Sequence, residues 1–174
     1  NKKNINKNEA RKKLNLHLNT NQKLFLFNGI LRNDKGLETL SSAIKKLSKL
    51  RSDFFILISG HPYDYSISQI KKMYSTSGQL LKNVRLDLEY IDDNLLPYYF
   101  FAADAFVLPY NKKYKGSSGP LTKGVLTFGL PAIVSDLGEM GFLAKENELG
   151  LTFLPENADE LVESFQKFLD YDNK

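Results

Sequence analysis

The chain has 174 residues, 42% of them apolar and 25% charged, and contains no cysteine. That length and balance suit one globular domain with a real core, and they exclude disulfides, thiolate metal sites and cysteine nucleophiles. The net charge of +4 is concentrated at the front, where Lys2, Lys3, Lys7, Arg11, Lys12 and Lys13 stand against Glu9 alone, so the remainder of the chain is slightly acidic.

Residues 1–16 therefore read as a basic, polar leader with a first helix near Glu9–Leu16, and residues 17–174 as a single domain. The leader is either a solvated segment or a weak contact for a membrane surface. The body carries no basic patch interleaved with aromatics, which argues against a nucleic-acid partner. His17 and His61 lie too far apart in sequence to suggest a metal pair, and no metal is expected. No apolar run reaches the roughly 18 residues that span a bilayer; the longest, Leu95–Tyr110, is broken by Pro97, Asp104 and Pro109. With no signal peptide and no initiating Met, the chain reads as an internal piece of a longer intracellular protein.

In chain order, short apolar runs alternate with helical patterns. Strands are expected at Lys23–Asn28, Phe54–Ser59, Val84–Tyr90, Ala105–Leu108, Ala132–Ser135 and Leu151–Phe153. Several are apolar on both faces, as strands covered by helices on both sides tend to be. Helical stripes are expected through Leu37, Leu40, Ile44, Leu47 and Leu50, over Ser66–Leu81 and Leu95–Ala103, through Leu121, Val125 and Phe128, and through Leu161, Val162, Phe165 and Phe168. The alternation predicts an α/β fold: a Rossmann-like, doubly wound parallel sheet of about six strands with helices on both faces.

Such sheets bind ligands beyond the carboxyl ends of their strands, which directs attention to residues 29–36, 60–65, 91–94, 109–119 and 135–140. Neither Gly-x-Gly-x-x-Gly nor a P-loop is present. Gly29-Ile-Leu-Arg32-Asn-Asp-Lys35-Gly36 follows the first strand. Its glycines allow close backbone approach, and Arg32 and Lys35 could reach a pyrophosphate; an ordinary turn with two solvated cations is the competing reading. Gly116-Ser117-Ser118-Gly119-Pro120 precedes the stripe of Leu121, Val125 and Phe128. A helix start with serine caps suits an anion, with the Ser117, Ser118 and Thr122 hydroxyls replacing the N–H that Pro120 lacks; an ordinary capped helix is the alternative. Asp104, Asp136 and Glu139 form no pair with acid–base spacing, His61 has no nucleophile-elbow partner, and Tyr98, Tyr99, Phe100 and Phe101 read as core. No catalytic residue is assigned.

The segments LFLFNGILRNDKGLETLSSAIKKL, LISGHPYD, VRLDLEYIDDNLLPYYFFAADAFVLPY and SSGPLTKGVLTFGLPAIVSDLGEMG resemble, in the right order, the C-terminal, donor-binding domain of GT-B glycosyltransferases of family 4, the group 1 type. The resemblance runs from about Asn8 to Leu169. It implies that Lys35 and Arg32 bind the diphosphate of a nucleotide-diphosphate sugar and that Gly29 lets the backbone approach it. The chain around Ser118, Gly119 and Leu121 would hold the same phosphates, and the main chain near Tyr90 and Ile91 would face the base. It further implies a retaining, metal-independent transferase without a cofactor, which builds a cell-surface polysaccharide or glycoconjugate from the cytoplasmic side, with an N-terminal acceptor lobe outside this chain. The domain alone would then bind donor without transferring sugar.

Three positions depart from the family pattern. Ile30 stands where many members have Arg, and Gly116 and Gly124 stand where the family has its paired glutamates. A degenerate lobe serving as a scaffold or interaction module is the alternative those glycines raise.

Overall fold

The computed structural model describes residues 5–117 and 119–171. Lys2 and Lys3 of the leader and Ser118 of the second loop lie outside the described residues. The six expected strands form one parallel sheet, in the order β5 (Val84–Asp87), β2 (Phe54–Ser59), β1 (Lys23–Asn28), β6 (Ala105–Leu108), β7 (Ala132–Ser135), β8 (Gly150–Phe153). The chain winds outward from β1 through β2 to β5, then returns to the other side of β1 with β6. The switch point therefore lies between β1 and β6.

Register shows how both faces are covered. Phe25 pairs with Ala105 and Leu26 with Phe106, so Leu26 and Phe106 share one face and Phe25 points to the other. Phe25 packs edge-on against Phe165 and Phe168 of α7 (Ala158–Tyr171), with ring centroids 4.8 and 5.3 Å apart. On that side α7 also packs against α2 (Leu37–Leu47), whose Leu37, Leu40, Ile44 and Leu47 are fully buried. Phe106, on the opposite face, meets Phe100 of α4 (Leu96–Ala102) at 5.2 Å. Leu50, the last member of the expected α2 stripe, lies beyond the helix and is exposed.

The first helix, α1 (Lys7–Lys13), begins at a capping box in which Asn6 and Glu9 bond each other's backbone N–H at 2.9 and 3.1 Å. It is fastened to the sheet by Asp104, which accepts from Lys7 Nζ (2.5 Å), Arg11 Nη2 (2.7 Å) and the Leu24 N–H (2.7 Å). Asp104 is thus a clasp at the amino end of β6 and not part of the ligand edge. Asp136 is likewise engaged, by Lys145 Nζ at 2.9 Å.

Three expectations are corrected, and one helix is added. The helix expected over Ser66–Leu81 stops at Met73, giving α3 (Ile67–Met73), and the chain then forms a small antiparallel hairpin of β3 (Ser75–Thr76) and β4 (Gln79–Leu80). Ser77 and Gly78, both at positive φ, make its turn. The strand expected over Val84–Tyr90 ends at Asp87. The stripe Leu121–Phe128 is a single turn, α5 (Gly119–Thr122), followed by a π-helical turn at Lys123–Thr127. A helix that the sequence pattern does not show, α6 (Gly138–Glu146), joins β7 to β8.

Candidate functional site

The carboxyl ends of β1 and β6 deliver two loops to the switch point, and main-chain contacts join them. Gly36, with φ of 70°, caps α2 in the left-handed region, and a Cβ there would lie 1.7 Å from the Pro109 carbonyl oxygen. Only glycine meets both demands. Asn111 donates its N–H to the Asp34 carbonyl (3.1 Å) and its side-chain amide to the Asn33 carbonyl (2.6 Å). The loop after β2 is fastened to the same place: Leu31 N–H donates to the His61 carbonyl at 2.9 Å, and a Cβ on Gly60 would lie 1.9 Å from the Gly29 carbonyl oxygen. His61 acts through its main chain, and its side chain is exposed.

Within this frame Lys35 is nearly buried, at 8% exposure. Its Nζ sits 3.9 Å from the ring centroid of Tyr110 and 4.2 Å from that of Tyr114, whose rings are 4.4 Å apart. Among the described residues no carbonyl or carboxylate accepts a hydrogen bond from it. Loss of hydration pushes the ammonium down to about 8, with Asp34 opposing that shift and Arg32 adding to it. Arg32 is held differently. It forks onto Asp34, with Nε to Oδ1 at 3.1 Å and Nη2 to Oδ2 at 2.7 Å, and this pair raises its already high pKa. Arg32 presents a partly neutralised cation, whereas Lys35 presents a whole one.

Across the gap, Tyr114 donates its hydroxyl to the Ser117 carbonyl at 3.0 Å, and Ser117 Oγ accepts weakly from the Gly119 N–H at 3.4 Å. Leu121 buries its side chain and Thr122 is exposed. Gly29, Arg32, Lys35, Ser117 and Gly119 thus belong to loops that meet at one edge. Tyr90 and Ile91 follow β5, two strands from β1 and so about 10 Å to the side; Tyr90 is 76% exposed. Ile30 is also exposed, pointing away from the core.

The tyrosines around Lys35 are the feature that sequence reasoning missed. Their signal is only an aromatic at the end of β6 and another four residues on, within Tyr110-Asn-Lys-Lys-Tyr114. Gly116 and Gly124 acquire structural reasons. A Cβ on Gly116 would lie 2.3 Å from Tyr114 Oη, and one on Gly124 would lie 2.5 Å from Phe106 Cδ1. Both places a side chain would occupy are therefore filled by rings. Among the described residues no group of three or more His, Asp or Glu is placed to hold a metal ion, and no helix is long and apolar enough to cross a membrane.

A parallel sheet with this strand order and helices on both faces, its switch point between β1 and β6, defines a Rossmann-like α/β domain. Residues 6–174 match the model of the family described as glycosyl transferases group 1, and the chain belongs to that family as the C-terminal half of a GT-B fold. It is similar to the C-terminal domain of a group 1 glycosyl transferase, LpcC, from Francisella tularensis, with TM-score 0.77 and 16% identity over 97% of this chain and 84% of that one. It is also similar to a glycosyltransferase from Rickettsia africae (TM-score 0.75, 16% identity, 96% and 42% coverage). A third likeness is to sucrose-phosphate synthase from Thermosynechococcus elongatus (TM-score 0.71, 24% identity, 95% and 40% coverage). The chain thus spans about two fifths of the length of the last two. No curated protein sequence matches it.

Proposed function

We propose that this chain is the donor-binding domain of a retaining, metal-independent glycosyltransferase. In this reading a nucleotide-diphosphate sugar lies across the switch point, and an N-terminal lobe supplies the acceptor and the remaining catalytic groups. The observation that carries the reading is the Lys35 ammonium, set between the loops after β1 and β6 and stripped of water without an anion of its own. A diphosphate would supply that anion, and in a low-dielectric site the pairing strengthens as negative charge grows on the departing nucleotide. Gly29 and the chain at Ser117–Gly119 would give the phosphates close main-chain approach, with Ser118 and Thr122 adding hydroxyls. Arg32 would join after loosening its fork on Asp34. The base would lie along the edge toward Tyr90 and Ile91.

The family match supports a cell-surface polysaccharide, glycolipid or glycoprotein glycan as product. We place the protein on the cytoplasmic side, peripheral to the inner membrane face, a reading that rests on the excess of basic residues at the front of the sequence. The second reading, a scaffold lobe that has ceased to bind donors, draws on the packing of Tyr114 and Phe106 against the two glycines. A thermal-shift series with UDP, GDP and ADP separates the two. A ligand at 100 times its dissociation constant adds about 2.7 kcal/mol, roughly 5–10 °C for a domain of this size. The donor reading expects that shift with one nucleotide and its loss in Lys35→Ala. An intact fold that shifts with none of the three supports the scaffold.

A further inference from the structure

We infer that Tyr114 is a positioning residue of the donor site: its ring face holds the Lys35 ammonium at the switch point, and its hydroxyl fixes the Ser117 carbonyl of the loop that leads into α5. The inference rests on the reading of Lys35 as the diphosphate ligand.

The two tyrosines differ in kind. Tyr110, two residues past β6, is 1% exposed, so it is a wall of the core. Tyr114 is half-buried on the loop itself, its N–H donated to the Asn111 carbonyl at 3.0 Å, and Asn111 in turn is tied to the main chain of Asn33 and Asp34. The side chain therefore touches two of the parts that must be aligned, the cation through its ring and the segment before α5 through its hydroxyl, while the residue's main chain joins the loop after β1 through Asn111. A Cβ at residue 116 would lie 2.3 Å from the Tyr114 hydroxyl, so a larger residue there would make the end of the ring shift.

The chemistry suits an anion site. A ring face attracts an ammonium without neutralising it, and its N–H···π contacts are weak enough for a phosphate oxygen to displace. A carboxylate in the same place would neutralise the ammonium and occupy its donors. The groups that face Lys35 are Asp34 and Arg32 from its own loop and Tyr110 and Tyr114 from the loop after β6. Burial pushes both phenols upward, so neither becomes a phenolate that would cancel the cation near pH 8. Asp34 is committed to Arg32. Below pH 8 the ammonium thus keeps its charge for a ligand, with no carboxylate bonded to it among the described residues.

The test uses the 174-residue chain with lysine side chains isotopically labelled, the Lys35 signal being assigned by its absence in Lys35→Ala. Its titration is followed by NMR without ligand, and UDP, GDP and ADP affinities are measured from pH 6.5 to 9.5. Tyr114→Ala admits water and moves the Lys35 midpoint up. Tyr114→Leu keeps the cover but removes the ring face and moves it down. Each weakens the preferred nucleotide by about tenfold. Tyr114→Phe leaves the midpoint where it is and weakens binding several-fold through the lost Ser117 bond; it also retains a fold if the larger truncation does not. Displacements of opposite sign are not produced by a merely structural residue. Ala and Leu variants that titrate and bind as the parent does would overturn the inference while leaving the donor reading intact. A parent chain that binds none of the three nucleotides would overturn the donor reading and the role of Tyr114 within it, even if the midpoints still move.

Discussion

Gly124 shows how one residue decides between packing and chemistry. It lies in the π-helical turn, with the ring of Phe106 where its Cβ would be. Replacing a helical glycine gains up to about 1 kcal/mol in propensity, whereas overpacking a close-packed contact costs about 1–3 kcal/mol. Gly124→Ala should therefore lower the urea midpoint, and adding Phe106→Leu should recover part of the loss. Gly124→Glu should fare worse and restore no ligand contact. Lys35 carries a second prediction at this scale. Its folded value of about 8 lies below the ordinary 10.5, so the unfolded chain binds more protons between those limits. The penalty is fully present below pH 8 and is relieved as pH rises toward 10.5. Urea midpoints of the parent and Lys35→Met should converge over that window, the variant being the more stable at pH 7. Lys35 itself was legible in the sequence, as a cation between glycines after a strand. Its rings were not, since contact between residues 35 and 114 is a product of topology and leaves no local spacing.

Among the elements, those with a clean apolar period were legible and those without one were not. The stripe of α2 and the run of β2 read directly. The helix expected over Ser66–Leu81 failed because Ser75, Thr76, Ser77 and Gly78 are poor helix formers that suit a tight hairpin instead. The buried face of α6 is Met140, Gly141 and Ala144, too small and too mixed to form a visible stripe. Gly141 is there because a Cβ would lie 2.5 Å from Asp136 Oδ1. The attachment of α1 belongs to this scale as well. Asp104 gathers two cations and a backbone N–H with its side chain 10% exposed. Asp104→Ala should cost about 1.5–3 kcal/mol, seen as a Tm several degrees lower and as faster amide exchange in α1.

In the whole molecule the two ends of the sheet have separate duties. The amino end carries the Asp104 clasp, and the carboxyl end carries Lys35, Tyr114 and the loop into α5. On the proposed donor reading, Asp104→Ala should therefore leave nucleotide affinity unchanged under conditions where the chain is folded, whereas Lys35→Ala should abolish it. The parallel, doubly wound sheet was legible from alternation, because a parallel sheet must alternate strand with crossover; the strand order was not, since alternation leaves open on which side of β1 each later strand is laid. Which side chains converge at the carboxyl end depended on how closely the loops approach one another.

That approach limits how this domain can be re-engineered. Where Gly36 meets Pro109 and Gly60 meets Gly29, three loops touch backbone to backbone with no side chain between them to yield. A loop transplanted alone from a relative would arrive beside neighbours cut for a different template. Segments 29–36, 60–65 and 109–117 must be exchanged as a matched set, and the segment around Tyr90 together with the start of α4, whose Leu96 N–H donates to the Asp92 carbonyl.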